Sequence, residues 1–173
     1  PLNSVKKLNI VLKDFQIDSV SEQDPKRYFY SKNMQYLLIG YSAISKDKMY
    51  QIKIDTLEGN AVDETLTISG FKMIPQFDEL EFSRKYDVQK DRYDLTFNKI
   101  EANGLDLRRL INLGKISIKN LSIGPAKVKV FMNRELPPPN FNKGRNFPHL
   151  ALKRLSIPTI VDTLSLKNID IAY

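Results

Sequence analysis

Residues 116–123 read ISIKNLSI, and residues 164–171 read LSLKNIDI. In both octets apolar and polar residues alternate, two polar residues then follow in succession, and the alternation resumes. Alternation with period two predicts a β-strand with one apolar face, because successive side chains of a strand point to opposite sides. The interruption at Lys119-Asn120 and at Lys167-Asn168 predicts a β-bulge, since one inserted residue would keep all four hydrophobic side chains on one face.

The same pattern starts at Leu66, Leu95, Ile100 and Leu121, and in a weaker form at Ile10. The central pairs of these copies combine residues that are common in turns and bends. We predict reverse turns at Asn103-Gly104 and Gly124-Pro125, and bulged corners at the two Lys-Asn pairs. Copies of the pattern recur at intervals of roughly 50 residues, which is typical of a repetitive, elongated β array.

Residue preferences predict a mainly β fold. Val, Ile, Thr, Tyr and Phe dominate eight candidate strands, at 5–18, 27–43, 49–59, 62–74, 92–103, 114–123, 126–133 and 157–171. Short helices are expected in 76–90, 105–112 and 147–155. We therefore predict a twisted, mostly antiparallel sheet, curled into a groove or an open barrel-like segment, with two or three short helices. A pentapeptide-type β-helix is an alternative, because LTFNKIEANGLDL runs in fives.

Length, charge and cysteine content place only weak limits on the partner and the domain organisation of the chain. The chain has 173 residues, and its 27 Lys and Arg against 20 Asp and Glu give a net charge of +7. That charge suits an anionic partner and equally suits solubility. No cysteine is present, so disulfide and zinc–thiolate chemistry have no starting point. We interpret residues 1–173 as a single β-rich segment excised from a larger repetitive protein.

Catalytic and ligand-binding motifs are missing from the sequence. His149 is the single histidine and has no nucleophile pattern around it, and there is no phosphate-binding glycine loop. The acidic run at Asp78, Glu79 and Glu81 is interpreted as solvated. The stretch SRKYDVQKDRYD at 83–94 interleaves basic and aromatic residues, as nucleic-acid sites do, but its acids favour a charged connector. We expect no enzymatic activity, no cofactor, no metal site and no nucleic-acid partner.

Four stretches carry a family resemblance: TLTISGFKMIP at 65–75, FDELEFSRKYDVQKDRYDL at 77–95, KISIKNLSIGPAKVKVF at 115–131, and the run from ELPPPNFNKGRN to the end at 135–173. They resemble AsmA-like proteins of the AsmA/TamB group, over most of residues 50–173. The resemblance implies a curled sheet with an apolar inner face, a periplasmic location, and an inner-membrane anchor outside this chain. It also implies a role in moving phospholipid to the outer membrane.

The apolar positions of the octets define a candidate groove face. Its twelve members are Leu66, Ile68, Phe71, Met73, Ile116, Ile118, Leu121, Ile123, Leu164, Leu166, Ile169 and Ile171. We predict that this face holds or conducts phospholipid between the inner and outer membranes through contacts with acyl chains. The alternative is a structural or scaffolding β module of the cell envelope that binds other envelope proteins and carries no lipid. A partly uncovered face would favour the first reading, and a buried core the second.

Overall fold

The computed structural model describes residues 3–138 and 158–173. Within these ranges the strands are β1 (Asn3–Ser4), β2 (Lys7–Lys13), β3 (Asn33–Ile44), β4 (Tyr50–Asn60), β5 (Thr65–Pro75), β6 (Arg92–Asn103), β7 (Ile116–Ile123), β8 (Ala126–Phe131), β9 (Thr159–Leu166) and β10 (Ile169–Ala172). The helices are α1 (Ser19–Gln23), α2 (Glu79–Ser83) and α3 (Leu107–Leu113).

One mostly antiparallel sheet contains all ten of these strands, which confirms the predicted mainly β fold. Strands β2 to β6 form an antiparallel meander. Strands β7 and β8 lie end to end along the other edge of β6, and β9 and β10 lie end to end beyond them, parallel to β7 and β8. The first and last strands do not pair with each other, so the sheet is open.

The prediction of β-bulges at the Lys-Asn pairs is wrong. In a bulge, two residues of one strand face one residue of its neighbour. Here Asn120 pairs with Asn103, and the Lys119 N–H donates to the Gly104 carbonyl at 3.3 Å, so no residue is left over. On the two sides of Lys167-Asn168, Leu166 pairs with Ile123 and Ile169 pairs with Ala126. Both strands therefore advance by the same number of residues across this pair. The strand bends without changing register, because its neighbours bend at the same place.

The predicted reverse turns at Gly124-Pro125 and Asn103-Gly104 are wrong for a related reason. The Gly124 N–H donates to the Lys99 carbonyl at 3.0 Å, and the Asn98 N–H donates to the Pro125 carbonyl at 2.8 Å. The chain therefore continues alongside β6 from β7 into β8. The pairing between the chain of β6 and the chain of β5 also continues beyond Asn103-Gly104. The Leu105 N–H donates to the carbonyl of Glu64, the residue directly before β5, at 2.9 Å.

The interruptions line up across the sheet as two transverse creases. Both creases contain residues with positive φ, a backbone conformation that increases the bend of a strand. The long crease crosses the whole sheet at Lys6, Gly40, Asp55, Gly70, Asn98, Pro125 and Asn168. The short crease crosses its second half at Glu64, Gly104, Lys119 and Asp162.

Glycine is required at two crease positions for steric as well as conformational reasons. Gly70 has φ +65° and Gly104 has φ +71°, values that L-residues with a Cβ rarely adopt. A Cβ on Gly104 would lie 2.6 Å from the Cδ of Lys119 on the neighbouring strand. A Cβ on Gly70 would collide with the carboxylate of Asp55. In both creases a charged side chain therefore lies across a left-handed glycine.

The most deeply buried residues lie towards the two ends of the strands. Tyr28, Met34 and Ala61 form one cluster. A second cluster contains Ala102, Leu105 and Ile118 beside the short crease. At the opposite end Phe82 of α2 is fully buried, with its ring 5.7 Å from that of Tyr50 and 5.4 Å from that of Tyr86. The middle of the sheet has no comparable cluster among the described residues.

Two predicted helices are confirmed in shortened form, as α2 within 76–90 and α3 near 105–112. Each has an aspartate cap: Asp78 accepts from the Glu81 N–H at 2.7 Å, and Asp106 accepts from the Arg109 N–H at 2.9 Å. Helix α1 is not predicted, because its sequence SVSEQ has no apolar periodicity. The predicted helix at 147–155 and His149 lie outside the described residues.

Candidate functional site: an apolar face across the sheet

Ten of the twelve candidate face residues lie in cross-strand rows. Each row runs directly across β5, β6, the β7–β8 line and the β9–β10 line, and cross-strand neighbours share a face. The four rows are Leu66–Ala102–Leu121–Leu164, Ile68–Ile100–Ile123–Leu166, Phe71–Phe97–Ala126–Ile169 and Met73–Leu95–Val128–Ile171. The remaining two, Ile116 and Ile118, pair with Thr159 and Val161 of β9.

The short crease brings hydrophobic side chains from both of its sides together. Ile118 and Leu121 are three residues apart, so an uninterrupted strand would place them on opposite faces. Both nevertheless belong to the cluster around Ala102 and Leu105. Between them Lys119 and Asn120 are both exposed. The crease therefore reverses the alternation, as the octet pattern implies, but without an inserted residue.

The long crease has the same features where it crosses the four rows. Gly70 and Asn168 have positive φ, and two successive residues are exposed in β6 at Asn98 and Lys99. The pairing register is unchanged across the crease. We therefore infer that the two rows before the crease and the two rows after it lie on one face. The rings of Phe71 and Phe97, 5.6 Å apart, form the aromatic contact in this half of the face.

The face is only partly covered. Of the twelve candidate residues only Ile118 is buried, at 8% exposure. Seven others in β5 and β7 and one in β10 are half-buried, and the last three are exposed: Leu164 at 50%, Leu166 at 60% and Ile171 at 71%. A closed core would hold most of these side chains below one-tenth exposure. The face is thus a largely open apolar surface, and the cluster of buried hydrophobic residues on it lies beside the short crease.

Strands β2, β3 and β4 extend the same rows, a part of the face that the candidate set does not include. The row of Ile68 continues through Leu57, Leu38 and Leu8, and the row of Phe71 is followed by Ile54 on the adjacent strand. The pattern is hidden in β4 because Gly59 replaces the last hydrophobic residue. In β3 it is hidden because hydrophobic residues such as Leu37 also occupy the opposite face. Strand β6 has two copies of the octet and could have been included.

Three tyrosines lie along the face, and their raised pKa values reflect its partial burial. Burial raises the pKa of Tyr36 and of Tyr50 above the usual value of a phenol. Burial, reinforced by the carboxylate of Asp91, raises the pKa of Tyr93 to about 12. The Tyr93 hydroxyl donates to Asp91 Oδ2 at 3.2 Å, and the Tyr93 N–H donates to the Tyr50 hydroxyl at 3.3 Å. This end of the face therefore has a connected polar rim.

The opposite face of β4, β5 and β6 is mostly polar. Thr67 of β5 lies opposite Glu101 of β6, and Lys53 of β4 lies directly opposite Lys72 of β5. Neither of these two lysines forms an ion pair within the part of the chain that the structure describes. Two different surfaces result, one apolar and one suited to water.

The acidic run and the basic, aromatic segment each have structural contacts. No group of three or more acidic or histidine side chains is placed to hold a metal ion within the described ranges. Asp78, from the acidic run, caps α2. In the basic and aromatic segment, Lys90 lies 3.9 Å from the ring centre of Tyr86, and Lys85 lies 4.6 Å from that of Phe77. These cation–π contacts use the segment internally, next to Phe82.

Comparisons with known proteins found no matching family model, no matching curated protein and no matching solved structure. Residues 3–138 and 158–173 include no helix with the length and apolar character needed to cross a membrane.

Proposed function

We propose that this chain holds lipid, with acyl chains lying on the open apolar face of the sheet. The observation that carries the proposal is the face itself: four aligned hydrophobic rows whose members, apart from the small Ala102 and Ala126, remain half-buried or exposed. A hydrocarbon chain laid there removes apolar area from water on both partners, at about 0.8 kcal/mol for each buried CH₂. Such binding needs no polar motif, which agrees with the absence of one in the sequence.

The resemblance to AsmA-like proteins extends the proposal to the cellular location and the transport role of the chain. We propose a segment of a periplasmic envelope protein that holds or conducts phospholipid between inner and outer membranes. Its inner-membrane attachment would lie in a segment outside this chain. The open sheet supports this reading, because an acyl chain can enter an open trough from the side along its whole length.

A scaffolding role is the second candidate, and one observation favours it. Strand β2 is exposed along its whole length, and the outer edge of β9 and β10 pairs with no other described strand. Free strand edges can recruit a strand from another protein. In this case the apolar face would be covered by protein and would carry no lipid.

Native mass spectrometry of the gently purified chain, expressed in a Gram-negative host, tests the first proposal. We expect adducts with the masses of phospholipids, and we expect them to decrease strongly in the double variant Leu164→Gln, Leu166→Gln. Both side chains are at least half exposed, so the variant retains the fold. The matched control is Thr163→Gln, an exposed position directly before Leu164 on the same strand. Absence of any lipid adduct, or equal loss in the control, would reject the lipid-holding role.

A further inference from the structure

A cavity of about 280 Å³ opens at one end of the apolar face, and Tyr28, Phe29, Tyr30, Arg27 and Arg108 contribute to its lining. Tyr28 connects the two features. It forms a buried cluster with Met34 and Ala61, and Tyr36, which belongs to the first row of the face, packs against that cluster. The cavity is at the small end of the range for ligand pockets, too small for a whole lipid but adequate for a headgroup.

The aromatic wall of this cavity is strained and rigidly held. Phe29 and Tyr30 have φ of +47° and +67°, a left-handed conformation that is unfavourable for residues with a Cβ. The Arg27 guanidinium holds the loop by donating to the Tyr30 carbonyl at 3.0 Å and to the Asp14 carbonyl at 2.9 Å. Phe29 lines the cavity and is 58% exposed. Strain of this kind is concentrated at binding sites.

Arg108 is the cation of the cavity that remains available. Its guanidinium lies 5.2 Å from the centre of the Tyr28 ring, and it has no hydrogen bond or ion pair within the described residues. Stacking on a ring leaves the N–H edge of a guanidinium unobstructed. Arg27, in contrast, is neutralised by Asp24 at 3.5 Å. The other acid of the lining, Glu22, is exposed on α1.

We propose that Arg108 binds the phosphodiester of a phospholipid headgroup whose acyl chains lie on the apolar face. Arginine is suited to this group because its planar fork donates two hydrogen bonds to one phosphate. The inference rests on the proposed lipid-holding function, and it assigns a defined end of the face to the headgroup.

Calorimetric titration with soluble lipids tests the assignment. The probes are dihexanoylphosphatidylglycerol, dihexanoylglycerol with the same acyl chains and no phosphate, and inorganic phosphate. We expect the full chain to bind the phospholipid at least tenfold more tightly than the diacylglycerol, and inorganic phosphate more weakly than the phospholipid. Arg108→Gln should abolish the phosphate preference and leave diacylglycerol binding unchanged.

The matched control is Arg109→Gln, which removes an exposed neighbour whose Nη1 contacts Ser117 Oγ at 3.4 Å. It should retain the phosphate preference. Arg108→Lys, checked for native circular dichroism like the other variants, keeps the charge and should show an intermediate preference.

Equal binding of both lipids, or a preference that survives Arg108→Gln, overturns the headgroup site and leaves the lipid-holding function in place. Binding of inorganic phosphate as tight as that of the phospholipid assigns the cavity to free phosphate and also overturns it. Binding of neither lipid overturns both proposals.

Discussion

The short crease and the long crease are built in the same way but have different surroundings. Both cross the strands without a change of register, and each places a charged side chain over a left-handed glycine. At the short crease Ala102, Leu105 and Ile118 form a buried cluster, at 3%, 5% and 8% exposure. At the long crease Ile68 and Phe71 remain half-buried, and of the row residues beside it the small Ala126 is buried.

The difference shows that a crease brings hydrophobic side chains onto one face of the sheet but does not by itself bury them. Beside the short crease the chain turns back through Leu105, which is buried in one cluster with Ala102 and Ile118. No described element covers the middle of the long crease. The same backbone geometry therefore yields a packed end and an open surface within one sheet.

The largest expected effect distinguishes these two environments directly. Ile118→Ala removes a buried side chain of the short-crease cluster and should lower the free energy of unfolding by about 3 kcal/mol. Ile68→Ala on the open face should lower it by about 1 kcal/mol, because a half-buried side chain loses less on truncation. Urea denaturation of both variants measures the difference. Equal losses would show that the long crease is covered as well.

The next effect isolates the steric role of the crease glycines. Gly70→Ala should lower the free energy of unfolding by about 2–3 kcal/mol, through the left-handed φ and the collision with Asp55. Gly114→Ala is the control, since Gly114 has φ +60° but nothing within 4 Å of an added Cβ, and it should cost only about 1 kcal/mol. Addition of Asp55→Ala should recover part of the Gly70→Ala loss. A Gly70→Ala effect no larger than that of Gly114→Ala would contradict the close approach.

A smaller effect concerns the polar rim beyond the long crease. The pKa of Tyr93 is raised in the folded chain to about 12, from about 10 in the unfolded chain. The folded state therefore binds the proton more tightly, so this stabilisation is complete below pH 10 and is lost as the pH rises towards 12. Partial exposure limits it to less than about 1 kcal/mol. Urea midpoints between pH 9 and pH 11.5 should fall less steeply in Tyr93→Phe than in the parent, and identical slopes would refute the shift.

The smallest effect concerns the ion pair over the short crease. Lys119 Nζ lies 3.8 Å from Glu64 Oε2, and the lysine side chain is 69% exposed. Such a pair contributes little, so Glu64→Gln should change the free energy of unfolding by less than about 0.5 kcal/mol. A loss above about 1.5 kcal/mol in thermal or urea unfolding would mean that charge pairing, rather than glycine geometry, maintains the crease.

Much of this architecture could be predicted from local patterns. Alternation identified eight strand regions, and the interrupted octets located both creases in the second half of the sheet. What the pattern could not show is that Lys119-Asn120 pairs in register with Asn103-Gly104. An interruption in a single strand has the same appearance whether its partner bends with it or faces an extra residue. Register depends on two distant segments at once.

The apolar face was predicted in part for a similar reason. Leu66 and Leu164 stand in strands whose two faces differ clearly in polarity. In β3 both faces carry hydrophobic residues, so Leu38 could not be distinguished from Leu37 by alternation. The cavity around Arg108 depends on contacts between the loop that contains Tyr28 and helix α3, which are remote in the chain. No short sequence motif could predict this cavity.

The common register of the creases has a consequence for how such a chain can vary. A residue gained or lost within one strand would displace that strand's bend from those of its neighbours and would also turn its hydrophobic side chains to the wrong side. Length changes should therefore accumulate in the connections between strands. Any strand that joins the sheet at its edge would need its own bend at the same level. The crease therefore restricts which strands can pair with the edge.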